Sequence, residues 1–493
     1  MAAVPRQKAP SSMSREPSLC DHEILVSGHH SGMSGSFEVP GDKSVSHRSL
    51  ILGGLAIGTT RVSGLLEGDD VMATGRAMQA LGADISRADD GVWHVTGVGT
   101  SGLVSPDGPL DLGNSGTGVR LLMGVVAGQP LTATFCGDAS LSRRPMARVT
   151  DPLAAMGAGI TARDGDRLPV TITGAETPLA ADHTSRVASA QIKSAVLLAA
   201  LNARGTSVVR EPTASRDHTE AMLRHFGATV RSSREADGTN VVELDGEASL
   251  TAADIIVPRD PSSAAFPMVA ALITEGSDLT IPAVGMNPLR TGLIQTLRDM
   301  GGDIDITNRR TEGGEEVADL RVRHSHLTGI DVPPERAASM IDEYPILAIA
   351  ATQADGVTRM NGVGELRVKE TDRIAVVADG IAAAGGTVAY DDDSMTVTGG
   401  AIEGGIVIGS QHDHRIAMSF LILGMVSAAP ITVSGCGTIN TSFPGFADSM
   451  NRCGAALRPG IEETGTEGSG ANGSGANGSG ANGSGANGSG VGT

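Results

Sequence analysis

Lysine, arginine, serine and glycine crowd together in short stretches, and these stretches are the part of the sequence best equipped for chemistry. Asp42-Lys43-Ser44-Val45-Ser46-His47-Arg48, Gly113-Asn114-Ser115-Gly116-Thr117-Gly118-Val119-Arg120, Ser189-Ala190-Gln191-Ile192-Lys193 and Asp413-His414-Arg415 each precede an apolar run. Asp342-Glu343 holds the same position with two carboxylates. Such a junction reads as a helix N-terminus, where free backbone N–H groups and the positive end of the dipole attract anions. Glycines at 113, 116 and 118 let the backbone approach an oxygen-rich ligand closely, but no GxxxxGK[ST] occurs, so ATP is not implied. Arg143-Arg144-Pro145-Met146-Ala147-Arg148 and Lys369-Glu370-Thr371-Asp372-Arg373 add two basic clusters. Arginine suits bidentate recognition of phosphate or carboxylate, with hydrogen bonds to charged groups contributing roughly 1.5–3 kcal/mol each. Any one stretch is as consistent with a turn or a solvated surface; several facing one space would hold a small, multiply charged anion.

A repeat must position them. Glycines at 82, 157, 227, 301, 385 and 454 end six helical patterns spaced about 70 to 85 residues apart. Each unit opens with an apolar helix, expected over residues 44–57, 119–127, 192–202, 264–274, 344–352 and 415–426. In most units a glycine turn and a short β-rich run follow, then a second amphipathic helix and a hairpin, with Asp90-Gly91 and Asp164-Gly165 as turn dipeptides. The pattern is βαβαββ, and the sixth copy lacks the closing hairpin. Val39-Pro40-Gly41-Asp42-Lys43-Ser44 before unit one is echoed by Val257-Pro258-Arg259-Asp260-Pro261-Ser262 before unit four. The echo predicts two similar domains joined by two crossings, with the strand before Pro40 belonging to the domain that resumes after Asp260. The expected division is a lead over 1–22, one discontinuous domain of 23–40 plus 259–460, a second of 41–258, and a disordered Gly/Ser/Ala/Asn tail over 461–493.

The bulk numbers bound the reading. A chain of 493 residues with 40% hydrophobic content is globular and too long for one core. With 2% aromatic residues the core is packed from Leu, Ile, Val, Met and Ala. A net charge of -19 argues against nucleic acid as partner, whereas screening over about 8 Å leaves a basic pocket free to hold a small anion. Cys20, Cys136, Cys436 and Cys453 lie far apart without CxxC spacing, so no metal site or disulfide framework is indicated. No apolar stretch approaches bilayer-spanning length. The expectation is a cytoplasmic monomer acting on small molecules, without membrane or nucleic acid and without a cofactor.

Residues 41–48, 113–120, 137–146, 188–195, 215–220, 341–345, 366–373 and 413–417 together resemble the signatures of the EPSP synthase family, in the family's order across about residues 25–457, with the wording of the class II bacterial branch. The resemblance implies an α/β (α+β) fold of two domains, each of three βαβαββ units arranged as an inverse α/β barrel, with the active site in the interdomain cleft. It implies transfer of the enolpyruvyl group of phosphoenolpyruvate to the 5-hydroxyl of shikimate 3-phosphate by addition and elimination. Shikimate 3-phosphate is then bound by Lys43, Ser44, Arg48, Ser189, Ala190, Gln191, Arg216, Asp342 and Lys369, and phosphoenolpyruvate by Lys43, Gly116, Arg120, Arg144, Gln191, Arg373 and Arg415. Asp342, Glu370 and Lys43 carry the proton transfers.

By its position alone Asp342 could equally cap the helix starting at Tyr344. Lys369 and Arg373 flank Glu370 and would hold it ionised in the free enzyme, so proton uptake is expected when substrates bind. Asp413 and His414 are expected to orient Arg415. Some class II relatives that tolerate glyphosate have Ala where this chain has Gly116, so sensitivity is expected here. Two rivals remain: an enolpyruvyl transferase acting on a UDP-amino sugar, which would need a reactive loop cysteine, and a noncatalytic anion binder of the same fold.

Overall fold

The computed structural model describes Leu19, residues 22–312 and residues 315–460. The expected tail and, apart from Leu19 and His22, the expected lead lie outside the described residues. Twelve α-helices form among the described residues: α1 (Lys43–Leu55), α2 (Asp69–Ala80), α3 (Gly116–Ala127), α4 (Ala147–Ala155), α5 (Ala190–Ala200), α6 (His218–His225), α7 (Pro261–Ile273), α8 (Gly292–Asp299), α9 (Tyr344–Thr352), α10 (Arg373–Ala383), α11 (His414–Leu423) and α12 (Phe446–Arg452). Odd-numbered helices open the six units and even-numbered helices follow. The six marker glycines stand just past the even helices with φ between +89° and +114°, the left-handed conformation that ends a helix at little steric cost when no Cβ is present. The first helix is shorter than expected: Ile57 begins a strand, because Ala56 is already extended.

Each unit contributes one four-stranded sheet, with a parallel pair at one side and an antiparallel hairpin at the other. The sixth sheet is complete after all, because the N-terminal strand Ile24–Ser27 pairs antiparallel with both Ile431–Ser434 and Arg458–Pro459. The missing hairpin strand is thus supplied by the other end of the chain.

The crossings show in the first and fourth sheets. Ser34–Ser36 lies parallel to Asp278–Gly285, and Ile255–Ile256 lies parallel to Ile57–Ser63. The two linkers also hold each other, as the Asp42 N–H donates to the Pro258 carbonyl at 2.8 Å and the Asp260 N–H to the Pro40 carbonyl at 2.9 Å.

Two hydrophobic clusters form, one from Val45 to Val257 and one joining Leu25–Val39 to Ala264–Leu457. Their centres are the odd helices, which are buried along most of their length; every residue of α9 is buried. Small residues substitute for rings in closing these cores. A Cβ on Gly124 of α3 would stand 2.3 Å from the Ala195 carbonyl of α5, so the helices meet at a distance that only glycine permits. Among the described residues no helix is long and apolar enough to cross a membrane, and no group of three or more His, Cys, Asp or Glu could hold a metal ion.

Candidate active site

The buried odd helices carry polar groups mainly in their first turns, and here those N-termini converge. A cleft of about 480 Å³ is lined by Lys43 and Ser44 at the start of α1, Gly116, Thr117 and Arg120 in α3, Ala190 and Gln191 in α5 with Ser189 before it, Asp342 before α9, and His414 and Arg415 in α11. The segments entering the even helices add Asp70, Arg144, Arg216, Arg290, Lys369, Glu370 and Arg373. Nine Lys and Arg side chains face six Asp and Glu across it, so the space is cationic in a chain of net charge -19.

Most of the cations are held by carboxylates, and Arg120 by the Gly116 carbonyl at 2.9 Å. Lys43 Nζ stands 2.5 Å from Asp70, Arg216 Nη2 2.5 Å from Asp342, and Arg144 Nη1 3.4 Å from Glu370. Arg373 binds three acids: Asp413 at 2.7 Å, Glu370 at 2.6 Å and Asp342 at 3.2 Å. Lys369 Nζ reaches Asp342 at 3.3 Å. Burial pushes the Asp342 carboxyl up, but Lys369, Arg216, Arg415 and Arg373 together hold it well below the ordinary value. For Glu370 burial is likewise outweighed, by Arg373, Arg144, His414 and Lys369. Asp70 differs, since burial raises it despite the opposing pull of Lys43. His414 is buried and surrounded by Lys43, Arg415 and Arg373, which with burial keep its imidazole neutral well below its usual range.

The profile of the EPSP synthase family, 3-phosphoshikimate 1-carboxyvinyltransferase, matches residues 29–450. The 3-phosphoshikimate 1-carboxyvinyltransferase of Parvibaculum lavamentivorans is 55% identical over 457 residues, covering 92% of this chain and 99% of its own. That of Methylorubrum extorquens is 57% identical over 433 residues, covering 87% and 96%.

The chain belongs to the EPSP synthase family.

An EPSP synthase structure from Acinetobacter baumannii superposes with a TM-score of 0.77 at 44% identity, covering 88% of this chain and 99% of that one. The enolpyruvyl transferase NikO of Streptomyces tendae, at 17% identity and a TM-score of 0.70, shares the fold. The two-domain inverse α/β fold and the transferase class expected from the resemblance therefore hold.

Of the residues that the family resemblance nominated, Arg48 alone does not line the cleft. It sits one turn behind Ser44, donating to the Ser44 carbonyl at 3.0 Å, to Thr219 Oγ1 at 2.6 Å and to Ser194 Oγ at 2.7 Å, with burial lowering it to about 10. One alternative closes and one expectation changes. Asp342 does not cap α9: its carboxylate is engaged by three cations, and Glu343, the N-cap residue, makes no side-chain cap bond. Asp413 caps α11 through the Arg415 N–H at 2.9 Å, but its carboxylate orients Arg373 rather than the Arg415 guanidinium. Arg415 instead donates to the Asp342 carbonyl at 3.1 Å and to Glu343.

Sequence reasoning passed over Asp70 and Arg290. Both occupy the segment entering the second helix of a unit, the position that supplies Arg144, Arg216 and Arg373, so aligning the repeats would have found them. Lys193 faces away from the cleft. Buried between Glu211 at 3.0 Å and Glu220 at 2.7 Å, it fixes Glu211, whose carboxylate accepts the Ser189 N–H at 3.1 Å and the Ser215 hydroxyl at 2.7 Å.

Proposed function

We propose that this chain joins phosphoenolpyruvate to the 5-hydroxyl of shikimate 3-phosphate, releasing phosphate. The observation that carries the reading is the triple pairing of Lys43, Arg144 and Arg216 with Asp70, Glu370 and Asp342 around one cleft. Each of these three cations, all nominated for an anionic substrate, is occupied by a carboxylate, and two of the carboxylates are nominated for proton transfer.

Substrate phosphate and carboxylate groups compete for these cations. As Arg216 and Lys369 turn to shikimate 3-phosphate, Asp342 loses the partners that hold its pKa down and becomes a usable base for the hydroxyl proton. As Arg144 and Arg373 turn to phosphoenolpyruvate, Glu370 is freed in the same way and takes up the proton that it delivers to C3. The hydroxyl oxygen bonds to C2 and C3 becomes a methyl group. Elimination then returns a methyl proton to Glu370 while the C2–O bond to phosphate breaks, with Lys43 assisting the leaving oxygen. Ser44, Ser189, Ala190 and Gln191 line the shikimate 3-phosphate side, while Gly116, Arg120 and Arg415 line the phosphoenolpyruvate side. The ligand role of Arg48 requires α1 or its own side chain to shift, because its three bonds are made within the protein.

The separate hydrophobic clusters support a division at the two crossings, with residues 23–40 plus 259–460 forming one domain and 41–258 the other. Both walls of the cleft come from one chain, which supports a monomer acting on small molecules; the cytoplasm is the compartment proposed for it. Inorganic phosphate released only when both substrates are present is the expected result. Release with a UDP-amino sugar replacing shikimate 3-phosphate would favour the related transferase reading; Cys136, at the end of strand Thr132–Cys136, does not line the cleft and speaks against it. Binding without release would leave an anion binder.

A further inference from the structure

Arg290 is buried where the two chain crossings meet and is bonded to both. Nη1 donates to Asp42 Oδ2 at 2.7 Å, and Nη2 to Asp260 Oδ1 at 2.7 Å and Ser262 Oγ at 2.8 Å. Asp42 and Asp260 are equivalent residues of the echoed segments and the N-caps of α1 and α7: Asp42 Oδ1 accepts the Val45 N–H at 2.9 Å and Asp260 Oδ1 the Ser262 N–H at 3.1 Å. One guanidinium therefore holds the first helix of each domain by its cap. Although Arg290 lines the cleft, both Nη atoms are committed, and its charge is matched by two buried carboxylates. Its Nη atoms are thus spent on the protein rather than held for an anion.

The bonds continue in one direction. Ser262 Oγ, accepting from Arg290, donates to Glu343 Oε1 in a short contact, and Glu343 Oε1 also receives Arg415 Nη1 at 3.4 Å. An unbroken polar chain thus runs Arg415, Glu343, Ser262, Arg290, Asp42, and ends at the turn of α1 that carries Lys43 and Ser44. Glu343, Ser262, Arg290 and Asp42 are each at most 5% exposed, so water does not compete for the links. A guanidinium is required in the middle, because its planar fork reaches two carboxylates and a hydroxyl at fixed angles, which an ammonium point charge does not reproduce.

We propose that Arg290 is a positioning residue that ties the two anion-binding edges of the cleft together, holding the Lys43 end of α1 in register with Arg415 across the domain crossing. The inference rests on the functional reading above and adds to it a residue that touches no substrate. Loss of the tie weakens both substrates at once, since each edge depends on the other for its place, whereas loss of an edge residue weakens mainly its own ligand.

The test measures calorimetric affinities and steady-state KM for shikimate 3-phosphate and phosphoenolpyruvate with the full chain, its Arg290→Lys variant and its Ser262→Ala variant, alongside melting temperatures. Arg290→Lys keeps the charge but not the fork; both affinities are expected to fall about tenfold. Ser262→Ala cuts the chain while leaving both ion pairs of Arg290 in place, and both affinities are expected to fall about threefold with the melting temperature nearly unchanged. A merely structural role would lower the melting temperature or the active fraction and leave the affinities of the folded protein as they were. Folded Arg290→Lys with either affinity at the wild-type value overturns the inference; should that variant not fold, Ser262→Ala decides by the same criterion. A wild-type chain that binds both substrates beside unaffected variants overturns this inference alone, whereas a wild-type chain that binds neither overturns the functional reading and this inference with it.

Discussion

The wall of the cleft contributed by residues 41–258 and the wall contributed by the rest of the chain rest on the same repeat but differ in charge. The first presents Lys43, Arg120, Arg144, Arg148 and Arg216 with a single carboxylate, Asp70. The second presents Asp260, Glu335, Asp342, Glu365 and Glu370 against Arg290, Lys369, Arg373 and Arg415. Opposed in this way, the walls close on each other through Arg144–Glu370, Arg148–Glu365, Arg216–Asp342 and Arg290–Asp42. The difference teaches that duplication supplies the places, namely helix starts and the segments entering even helices, while side-chain choice makes one wall cationic and the other rich in carboxylates, a division that the proposed reaction would use for grip and for acid–base work. On the functional reading proposed above, Arg144–Glu370 and Arg216–Asp342 are the pairs exchanged for substrate, so their strength is set against turnover.

Exchanging a proton-transfer group on the acidic wall should have the largest effect. Asp342→Asn removes the base and is expected to lower kcat by roughly 10²–10⁴-fold, measured by phosphate release. A loss confined to KM would move Asp342 from catalysis to binding and break the division of labour. On the cationic wall, Arg216→Met deletes a charged hydrogen-bond donor, and the KM for shikimate 3-phosphate should rise by roughly 10- to 100-fold, with kcat changing less. If kcat fell as far as in Asp342→Asn, the two walls would not be chemically distinct.

Gly116→Ala probes the packing of the cationic wall. An added Cβ would meet Arg144 Nη1 at 2.7 Å and Arg120 Nη1 at 2.9 Å, the far ends of side chains that can yield into the phosphoenolpyruvate side. The wild-type chain is expected to be inhibited by glyphosate, and Gly116→Ala to weaken that inhibition about tenfold or more, at some cost in KM for phosphoenolpyruvate. Uninhibited turnover of the wild type in excess glyphosate would contradict this.

The smallest effect concerns stability. His47 is buried, with its Nδ1 against Thr74 Oγ1 at 2.8 Å, and burial together with Lys43 and Arg48 puts its pKa well below 6.5. Above pH 6.5 both folded and unfolded states carry it neutral; below that value only the unfolded chain takes the proton, so stability is lost as pH falls, by about 1.4 kcal/mol per pH unit for such a histidine. Asp342 and Glu370, also depressed, add a further loss only once the pH drops below their unfolded values near 4. The melting temperature should therefore fall between pH 6.5 and 5, and His47→Gln should lessen that slope, with buried His414 keeping its own share; an unchanged slope would remove His47 from the cationic wall's electrostatics.

Much of this was legible in advance because it is local. The left-handed glycines, the apolar odd helices and the Asp-Gly hairpin turns follow from the conformational limits of single residues and from hydrophobic periodicity, and motif wording placed Lys43, Arg144, Asp342 and Glu370 in one family's site. Pairing across the cleft was not legible. Nothing near Asp342 in sequence says that Arg216, 126 residues away, would hold it in place of a helix cap, or that Asp413 would serve Arg373.

Local propensity and repetition, then, determined six βαβαββ units, their division into two threes and the gathering of polar groups at helix starts, since each depends on residues within a few turns of one another. Tertiary structure alone decided that the N-terminal strand completes the sixth sheet, that Arg48 lies behind the cleft, and that Arg290 joins two helix caps. Those outcomes turn on which distant charges and strand edges share a buried space, and burial makes a carboxylate without a partner too costly to leave to chance.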